Sequence, residues 1–136
     1  MAQAYLSLGS NMGRRRQTLC RAVELLGERV GTVVRKSSLV ETEPWGFASA
    51  RRFLNACVCV DTALSPRQLL EATQQIERDL GRKKKSVDGH YHDRPIDIDI
   101  LLYDDWQVDE PDLKIPHPLM RQRDFVMTPL REIATI

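Results

Sequence analysis

Apolar and polar residues alternate in four stretches of the chain, and each stretch predicts a β-strand. They cover residues 4–9, 32–42, 53–63 and 96–102. The second stretch is interrupted by the pair Ser37-Ser38. Between the first and second stretches, and again between the third and fourth, apolar residues recur every three or four positions. This spacing predicts a helix over 14–29 and another between Ser65 and Gly81.

The second helix carries the clearest start signal in the chain. Ser65 is a good N-cap, Pro66 suits the first helical position, and Gln68 completes a capping box. Gly81 is placed to end the helix. The element order β-α-β-β-α-β predicts a ferredoxin-like α+β fold. Extra short C-terminal elements are expected at 106–108 and 113–115, followed by a last short helix around Pro129–Ile133.

Two stretches without periodicity predict loops. Residues 43–47 combine a proline and a glycine with Trp45 and Phe47, aromatic residues available for contact. Residues 82–95 form a long polar loop, which is typical of lids and binding loops. With a length of 136 residues, the chain is expected to form one domain over 1–136.

The fourth strand contains two carboxylates, Asp97 and Asp99, in an otherwise apolar run. Side chains alternate across a strand, so both acids point to one face while the isoleucines between them point to the other. The acids are either solvated residues at a strand end or ligands of a cation. Hard oxygen ligands suit Mg²⁺, which binds through one or two carboxylates together with substrate phosphates. Arg94, just before the pair, suits a phosphate-bearing substrate as well.

Composition narrows the class of protein. The chain has 29% charged and 42% hydrophobic residues and a net charge of +1, which gives no overall basic field for nucleic acid. The basic runs Arg14-Arg15-Arg16 and Lys83-Lys84-Lys85 are typical of solvated faces. The three cysteines favour a reducing compartment, with Cys57 and Cys59 as core residues. Neither a signal peptide nor a membrane span is predicted, so a cytoplasmic protein is expected.

These features together predict phosphoryl transfer. The topology predicts that the acid strand lies near the start of the 53–63 strand, with the cationic 82–95 loop over the same end. Phosphoryl transfer depends mainly on positioning and on charge stabilisation. Phe53 and Phe125 are either core residues or the two sides of a slot for a flat ring, and Asn55 can hydrogen-bond the edge of a heterocycle.

The chain resembles the 6-hydroxymethyl-7,8-dihydropterin pyrophosphokinases of folate biosynthesis. The resemblance covers nearly the whole chain, in order: Leu8-Gly9-Ser10-Asn11, Glu41-Thr42-Glu43-Pro44-Trp45-Gly46, Phe53-Leu54-Asn55, Gln74-Gln75-Ile76-Glu77, Gly81-Arg82, the run from Arg94 to Leu101, Pro116-His117-Pro118-Leu119-Met120 and Arg123-Asp124-Phe125.

The resemblance implies transfer of pyrophosphate from ATP to the pterin hydroxymethyl oxygen, with release of AMP. It assigns two Mg²⁺ ions to Asp97 and Asp99, and catalysis to these acids with Arg82 and Arg94. The pterin positions it implies are Thr42, Trp45, Phe53, Asn55 and Phe125. The ATP positions are Gln74, Glu77, Lys84, Tyr91, Arg94, Ile100, His117 and Arg123. ATP and 6-hydroxymethyl-7,8-dihydropterin are the expected binding partners, and the protein is expected to be a monomer.

The chain departs from the family pattern in the loop before the acid strand and at its end. Tyr91-His92-Asp93-Arg94 replaces the usual Trp-Gly-Pro-Arg, about two residues are added, and Lys84 replaces an arginine, which removes a bidentate fork. Altered loop closure and weaker nucleotide binding are expected. The chain also stops soon after Glu132, so a C-terminal segment is expected to be missing or reduced.

Two other functions and one other metal site compete with this interpretation. A nucleotidyltransferase also uses paired aspartates with Mg²⁺ but releases pyrophosphate. A ferredoxin-like RNA-binding module would carry aromatics and basic residues on its sheet, where this chain has acids. His90, His92 and Asp93 have the chemistry of zinc ligands, but three in one loop favour ordinary loop chemistry over a metal site.

Overall fold

A computed structural model describes residues 1–43, 51–81 and 95–134 of the chain. Three helices and seven strands lie in these ranges, together with a 3₁₀ turn at Met120–Gln122. In chain order they are β1 Ala2–Ser10, α1 Arg15–Arg29, β2 Gly31–Lys36, β3 Val40–Thr42, β4 Phe53–Thr62, α2 Pro66–Asp79, β5 Asp97–Tyr103, β6 Val108–Glu110, β7 Leu113–Ile115 and α3 Asp124–Ile133.

The main sheet is antiparallel, with strand order β2-β4-β1-β5 and β3 paired to β4. This arrangement confirms the predicted α+β class and the β-α-β-β-α-β order. The predicted stretch 32–42 is divided at Ser37-Ser38 into β2 and β3. Ser37 lies beside β4, where its backbone N–H donates to the Cys57 carbonyl at 2.9 Å and its hydroxyl accepts from the Cys57 N–H at 2.8 Å.

Each face of the sheet has its own apolar core. On one face, α1 and α2 cover a cluster that includes Leu6, Leu8, Ile98 and Ile100. On the other face, α3 covers a smaller cluster whose buried members are Cys57, Cys59, Leu101, Met120, Val126, Met127, Leu130 and Ile133. Burial raises the pKa of the Cys57 thiol to about 12, so it stays protonated at neutral pH. The prediction of two core cysteines is confirmed.

The signals at both ends of α2 are confirmed. The Ser65 hydroxyl accepts from the Gln68 N–H at 3.2 Å, and the Gln68 carboxamide accepts from the Ser65 N–H at 3.0 Å. Gly81 follows the helix with a φ of +103°, a conformation that suits glycine. Both features depend only on residues that are neighbours in the sequence, so a local pattern is enough to predict them.

The last helix is longer than predicted. It begins at Asp124 and contains Pro129, whereas the sequence placed its start at Pro129. Burial of Val126, Met127 and Leu130 against the sheet stabilises the earlier turns and outweighs the missing N–H of Pro129. The segment predicted at 106–108 is also shifted, because Trp106 lies in a turn and the strand begins at Val108.

Within the described ranges, none of the helices is both long enough and apolar enough to cross a bilayer.

Candidate active site

Asp97 and Asp99 lie at the start of β5, both half-buried. Ile98 and Ile100 point to the opposite face and are buried at 2% and 6% exposure. The predicted alternation is therefore present. Beyond Ile100 the register of β5 with β1 shifts, and Leu101 joins the cluster under α3. From Leu101 onwards, the acid-bearing face of β5 is therefore covered by this cluster and is not accessible to a ligand.

β1 lies between the acid strand and β4. Gly9 pairs with Asp97 on one side and with Asn55 on the other. Ser7, two residues earlier, pairs with Asp99 and with Cys57. Residues that pair across strands share a face, so Asp97, Asp99 and Asn55 point to the same side of the sheet. The expectation that the acid strand lies near the start of the 53–63 strand is confirmed, with one strand intervening.

Glu77 holds the backbone of the acid strand. It projects from α2, is 2% exposed, and accepts a hydrogen bond from the Ile98 N–H through Oε2 at 2.7 Å. β5 ends the strand order of the sheet, and an edge strand has backbone groups that need partners outside the ladder. Glu77 satisfies one of them at the residue between the two acids. Gln74, one helical turn earlier and half-buried, lies on the same side of α2.

A polar pair lies next to the acids on the same face. The Asn55 side-chain nitrogen donates to the Thr42 hydroxyl at 2.5 Å. Asn55 is 2% exposed and Thr42 pairs with Phe53, so all three point to one side. The pair can still accept through the Asn55 carbonyl and donate through the Thr42 hydroxyl. This donor and acceptor suit the edge of a heterocycle.

The start of α3 contributes an arginine and an aromatic ring. Arg123, 6% exposed, precedes the helix, and its guanidinium carbon lies 5.5 Å from the Phe125 ring centroid. Phe125 is half-buried and packs on the cluster under α3. α3 contacts β4 and β3, the strands that carry Phe53, Asn55 and Thr42. Both predicted ring-stacking residues are therefore on the acid-bearing side of the sheet.

His117 is held in one tautomer. Its backbone N–H donates to the Leu101 carbonyl at 3.0 Å, and its Nδ1 accepts from the Leu119 N–H at 3.2 Å. A nitrogen that accepts carries no hydrogen, so the neutral ring has its hydrogen on Nε2. The sequence alone does not define this tautomer. His117 can donate to an anionic ligand through Nε2 without gaining a charge.

The remaining predicted residues separate into two groups. Ile100 has its side chain in the core on the helix side, so only its backbone is available to a ligand on the acid-bearing face. The others lie outside the described residues, and their roles stay predictions: Trp45, Arg82, Lys84, Tyr91 and Arg94. The zinc alternative at 90–93 also falls outside them.

Two half-buried carboxylates on one strand face are hard oxygen donors, which fits Mg²⁺. Among the described residues there is no group of three or more His, Cys, Asp or Glu that could hold a metal ion. A cation bound by this pair therefore needs further oxygen ligands from water or from phosphates, as is usual for Mg²⁺.

Sequence reasoning missed one residue of the site. It placed Gly9 at the end of a strand and in the family-matching run Leu8-Gly9-Ser10-Asn11 but gave it no role, whereas the structure places Gly9 between Asp97 and Asn55. The pairing of β1 with both neighbouring strands is not encoded in any local pattern, so the motif alone does not reveal this position.

Residues 5–135 of the chain match the family of 7,8-dihydro-6-hydroxymethylpterin-pyrophosphokinases, abbreviated HPPK. The chain is 54% identical to the 2-amino-4-hydroxy-6-hydroxymethyldihydropteridine pyrophosphokinase of Porphyromonas gingivalis over 135 residues, which cover 98% of the chain and 92% of that protein. It is 44% identical to the protein of the same name from Bacillus subtilis over 131 residues, covering 96% and 77% of the two chains.

Solved structures show the same fold. The chain superposes on a crystal structure of an HPPK-DHPS protein in complex with substrates with a TM-score of 0.77 at 14% identity. The match covers 97% of the chain but only 40% of that longer protein. At this identity the likeness concerns the fold alone.

Proposed function

The chain belongs to the 7,8-dihydro-6-hydroxymethylpterin-pyrophosphokinase family, an enzyme family of folate biosynthesis, and we propose that it transfers pyrophosphate from ATP to 6-hydroxymethyl-7,8-dihydropterin. The hydroxymethyl oxygen forms a bond to the β-phosphorus of ATP. The bond between that phosphorus and the oxygen bridging to the α-phosphate breaks, AMP leaves, and the hydroxyl proton is released to solvent.

One observation carries this proposal. Asp97 and Asp99 share a sheet face with Thr42, Phe53 and Asn55, and a single strand separates the two groups. Two interstrand spacings amount to about 10 Å. A ring bound at the polar pair therefore has a substituent within reach of phosphates bound at the acids.

The polar pair and the aromatic residues account for pterin recognition. The ring lies between Phe53 and Phe125, and its edge is read by the Asn55 carbonyl and the Thr42 hydroxyl. Trp45 completes this pocket. Asn55 is buried and fixed by its bond to Thr42, so its acceptor is oriented before the substrate arrives. The pocket therefore selects flat rings with a donor and an acceptor on one edge.

The acids and the cationic residues account for the nucleotide. Asp97 and Asp99 would hold Mg²⁺, which when bound neutralises the triphosphate and stabilises the charge of an in-line displacement. His117 donates to a phosphate oxygen through Nε2, while Arg123, Gln74, Lys84 and Tyr91 bind the rest of the nucleotide. Arg82 and Arg94 stabilise the charge that develops during transfer. Glu77 keeps the acid strand in place through the Ile98 N–H.

Product analysis tests the proposed reaction. The protein is incubated with ATP, Mg²⁺ and 6-hydroxymethyl-7,8-dihydropterin, and nucleotides and pterins are separated by chromatography. Pterin-dependent AMP, with a pterin that has gained two phosphates, is expected. Release of pyrophosphate with a nucleotidylated pterin would instead indicate a nucleotidyltransferase, and folded protein that forms no product would refute the proposal.

A further inference from the structure

Gly9 lies at the middle of the face that carries the proposed site. It pairs with Asp97 of β5 and with Asn55 of β4, so a side chain at this position would stand between the acids and the ring pocket. Of the described glycines, Gly13 and Gly81 have a positive φ and Gly9 does not. The backbone at position 9 therefore accepts any residue, and the reason for glycine is space.

Space at this position is limited by two residues of the ring pocket. A Cβ on Gly9 would lie 3.0 Å from Oδ1 of Asn55 and 3.5 Å from Cδ1 of Phe53. The first contact is too short to be accommodated unless Asn55 moves. Asn55 is buried and bonded to Thr42 at 2.5 Å, so moving it disturbs the polar pair. A methyl group at position 9 thus changes the ring pocket directly.

We propose that Gly9 is a specificity-determining residue, which keeps the sheet open where the substrate's exocyclic hydroxymethyl group passes from the ring pocket to the acid pair. This inference rests on the proposed function. A flat ring at Asn55 and a phosphate at Asp97 must be joined across β1, and the residue of β1 between them is Gly9. The absence of a side chain lets the substituent lie against the strand.

Three glycine-to-alanine variants separate this role from a general effect of the substitution. Gly9→Ala is the test. Gly27→Ala adds a methyl group on α1, where a Cβ meets nothing within 4 Å, and it is the neutral control. Gly31→Ala places a Cβ 1.9 Å from the Asp61 carbonyl oxygen at the far end of β4, and it is the control for lost stability.

Two readouts are compared among the variants: the pterin Kd from pterin fluorescence with a non-hydrolysable ATP analogue present, and the KM values for pterin and ATP. Gly9→Ala is expected to raise the pterin Kd and KM by about tenfold or more, as a misplaced methyl group does in a fitted pocket. The ATP KM is expected to stay within about twofold, because the acids and the nucleotide residues are not displaced. Gly27→Ala is expected to match the wild type in all three values.

The measurements distinguish a failure of this inference from a failure of the proposed function. If the wild-type protein forms no AMP, the proposed function fails. If the wild type is active and Gly9→Ala binds pterin within about twofold of it, the inference is overturned. The inference is also overturned if Gly9→Ala and Gly31→Ala raise the pterin and ATP values alike, since that pattern reports stability. Should Gly9→Ala unfold, the same measurements are made in the Gly27→Ala background, where alanine strengthens the helix.

Discussion

At the scale of single residues, two like charges define the site. Asp97 and Asp99 lie two residues apart on one strand face, which separates their Cα atoms by about 7 Å. Like charges this close repel each other, and a cation bound by both carboxylates offsets that repulsion.

Neutralising either acid is expected to abolish turnover while the fold is retained. Asp97→Asn and Asp99→Asn should each lower kcat about a thousandfold or more, because the amide does not replace an anionic metal ligand. Both variants should still unfold in a single cooperative transition, which shows that the fold is retained. Steady-state kinetics and thermal unfolding check both statements. Asp105→Asn, in the exposed turn after β5, is the matched control. Unchanged turnover in both Asp97→Asn and Asp99→Asn would refute the metal assignment.

The Thr42 hydroxyl is expected to affect pterin and not ATP. Thr42→Val keeps the size of the side chain but removes the acceptor of the Asn55 amide and the donor offered to the ring. A lost hydrogen bond of about 1 kcal/mol corresponds to a pterin KM about fivefold higher. The ATP KM should not change, and Thr42→Ser, which retains the hydroxyl, should restore pterin binding. Equal changes in the two KM values would contradict the assignment of this residue to the pterin pocket.

At the scale of elements, the end of α3 is hydrogen-bonded to β2 and to the connection between β2 and β3. Arg35 of β2 donates to the Ile133 carbonyl at 3.0 Å and to the Tyr5 hydroxyl at 2.7 Å. Glu132 accepts from the Ser38 N–H at 2.9 Å and from its hydroxyl at 2.7 Å. Phe125 lies at the other end of the same helix. These contacts hold the end of α3 against β2 and the connection to β3, and so help to position the helix that carries Phe125.

The contact at Glu132 is expected to depend on pH. Hydrogen bonds from the Ser38 backbone and hydroxyl lower the pKa of Glu132. A carboxyl with a lowered folded-state pKa stabilises the protein above its unfolded value of about 4.3, and this contribution disappears as the pH falls through the folded-state value. Glu132→Gln should therefore be less stable than the wild type at neutral pH and equally stable in acid.

Urea unfolding of the wild type and of Glu132→Gln between about pH 3 and pH 7 measures this difference. Asp112→Asn is a suitable control, since it also removes a bonded carboxylate of lowered pKa, but in the turn between β6 and β7, where it bonds Arg67. A difference for Glu132→Gln that is constant over this pH range would contradict the bond to Ser38 as its cause.

At the scale of the whole molecule, the features that the sequence predicted correctly are those decided by near neighbours. The Ser65 capping box, the Gly81 stop and the alternation around Asp97 each depend on residues within a few positions. The start of α3 was placed too late because its first turns are stabilised by burial against β4, which is distant in the sequence.

The site itself was only partly predictable for the same reason. The acids, Thr42, Phe53 and Asn55 were named from residue type and from the resemblance to a family, and the structure places them on one face. Gly9 has no chemistry of its own, and only the pairing of three strands reveals its place between Asp97 and Asn55. The loop residues before β5 stay predictions.

The central claim is that this face joins a ring pocket to a phosphate site for pyrophosphoryl transfer, and the fate of the β-phosphorus tests it most directly. ATP labelled at that phosphorus is incubated with the protein, Mg²⁺ and 6-hydroxymethyl-7,8-dihydropterin. The label is expected in the pterin product, in a one-to-one ratio with AMP and at a rate that Asp97→Asn abolishes. Label recovered in free pyrophosphate, or in ADP beside a pterin with a single phosphate, would contradict the claim.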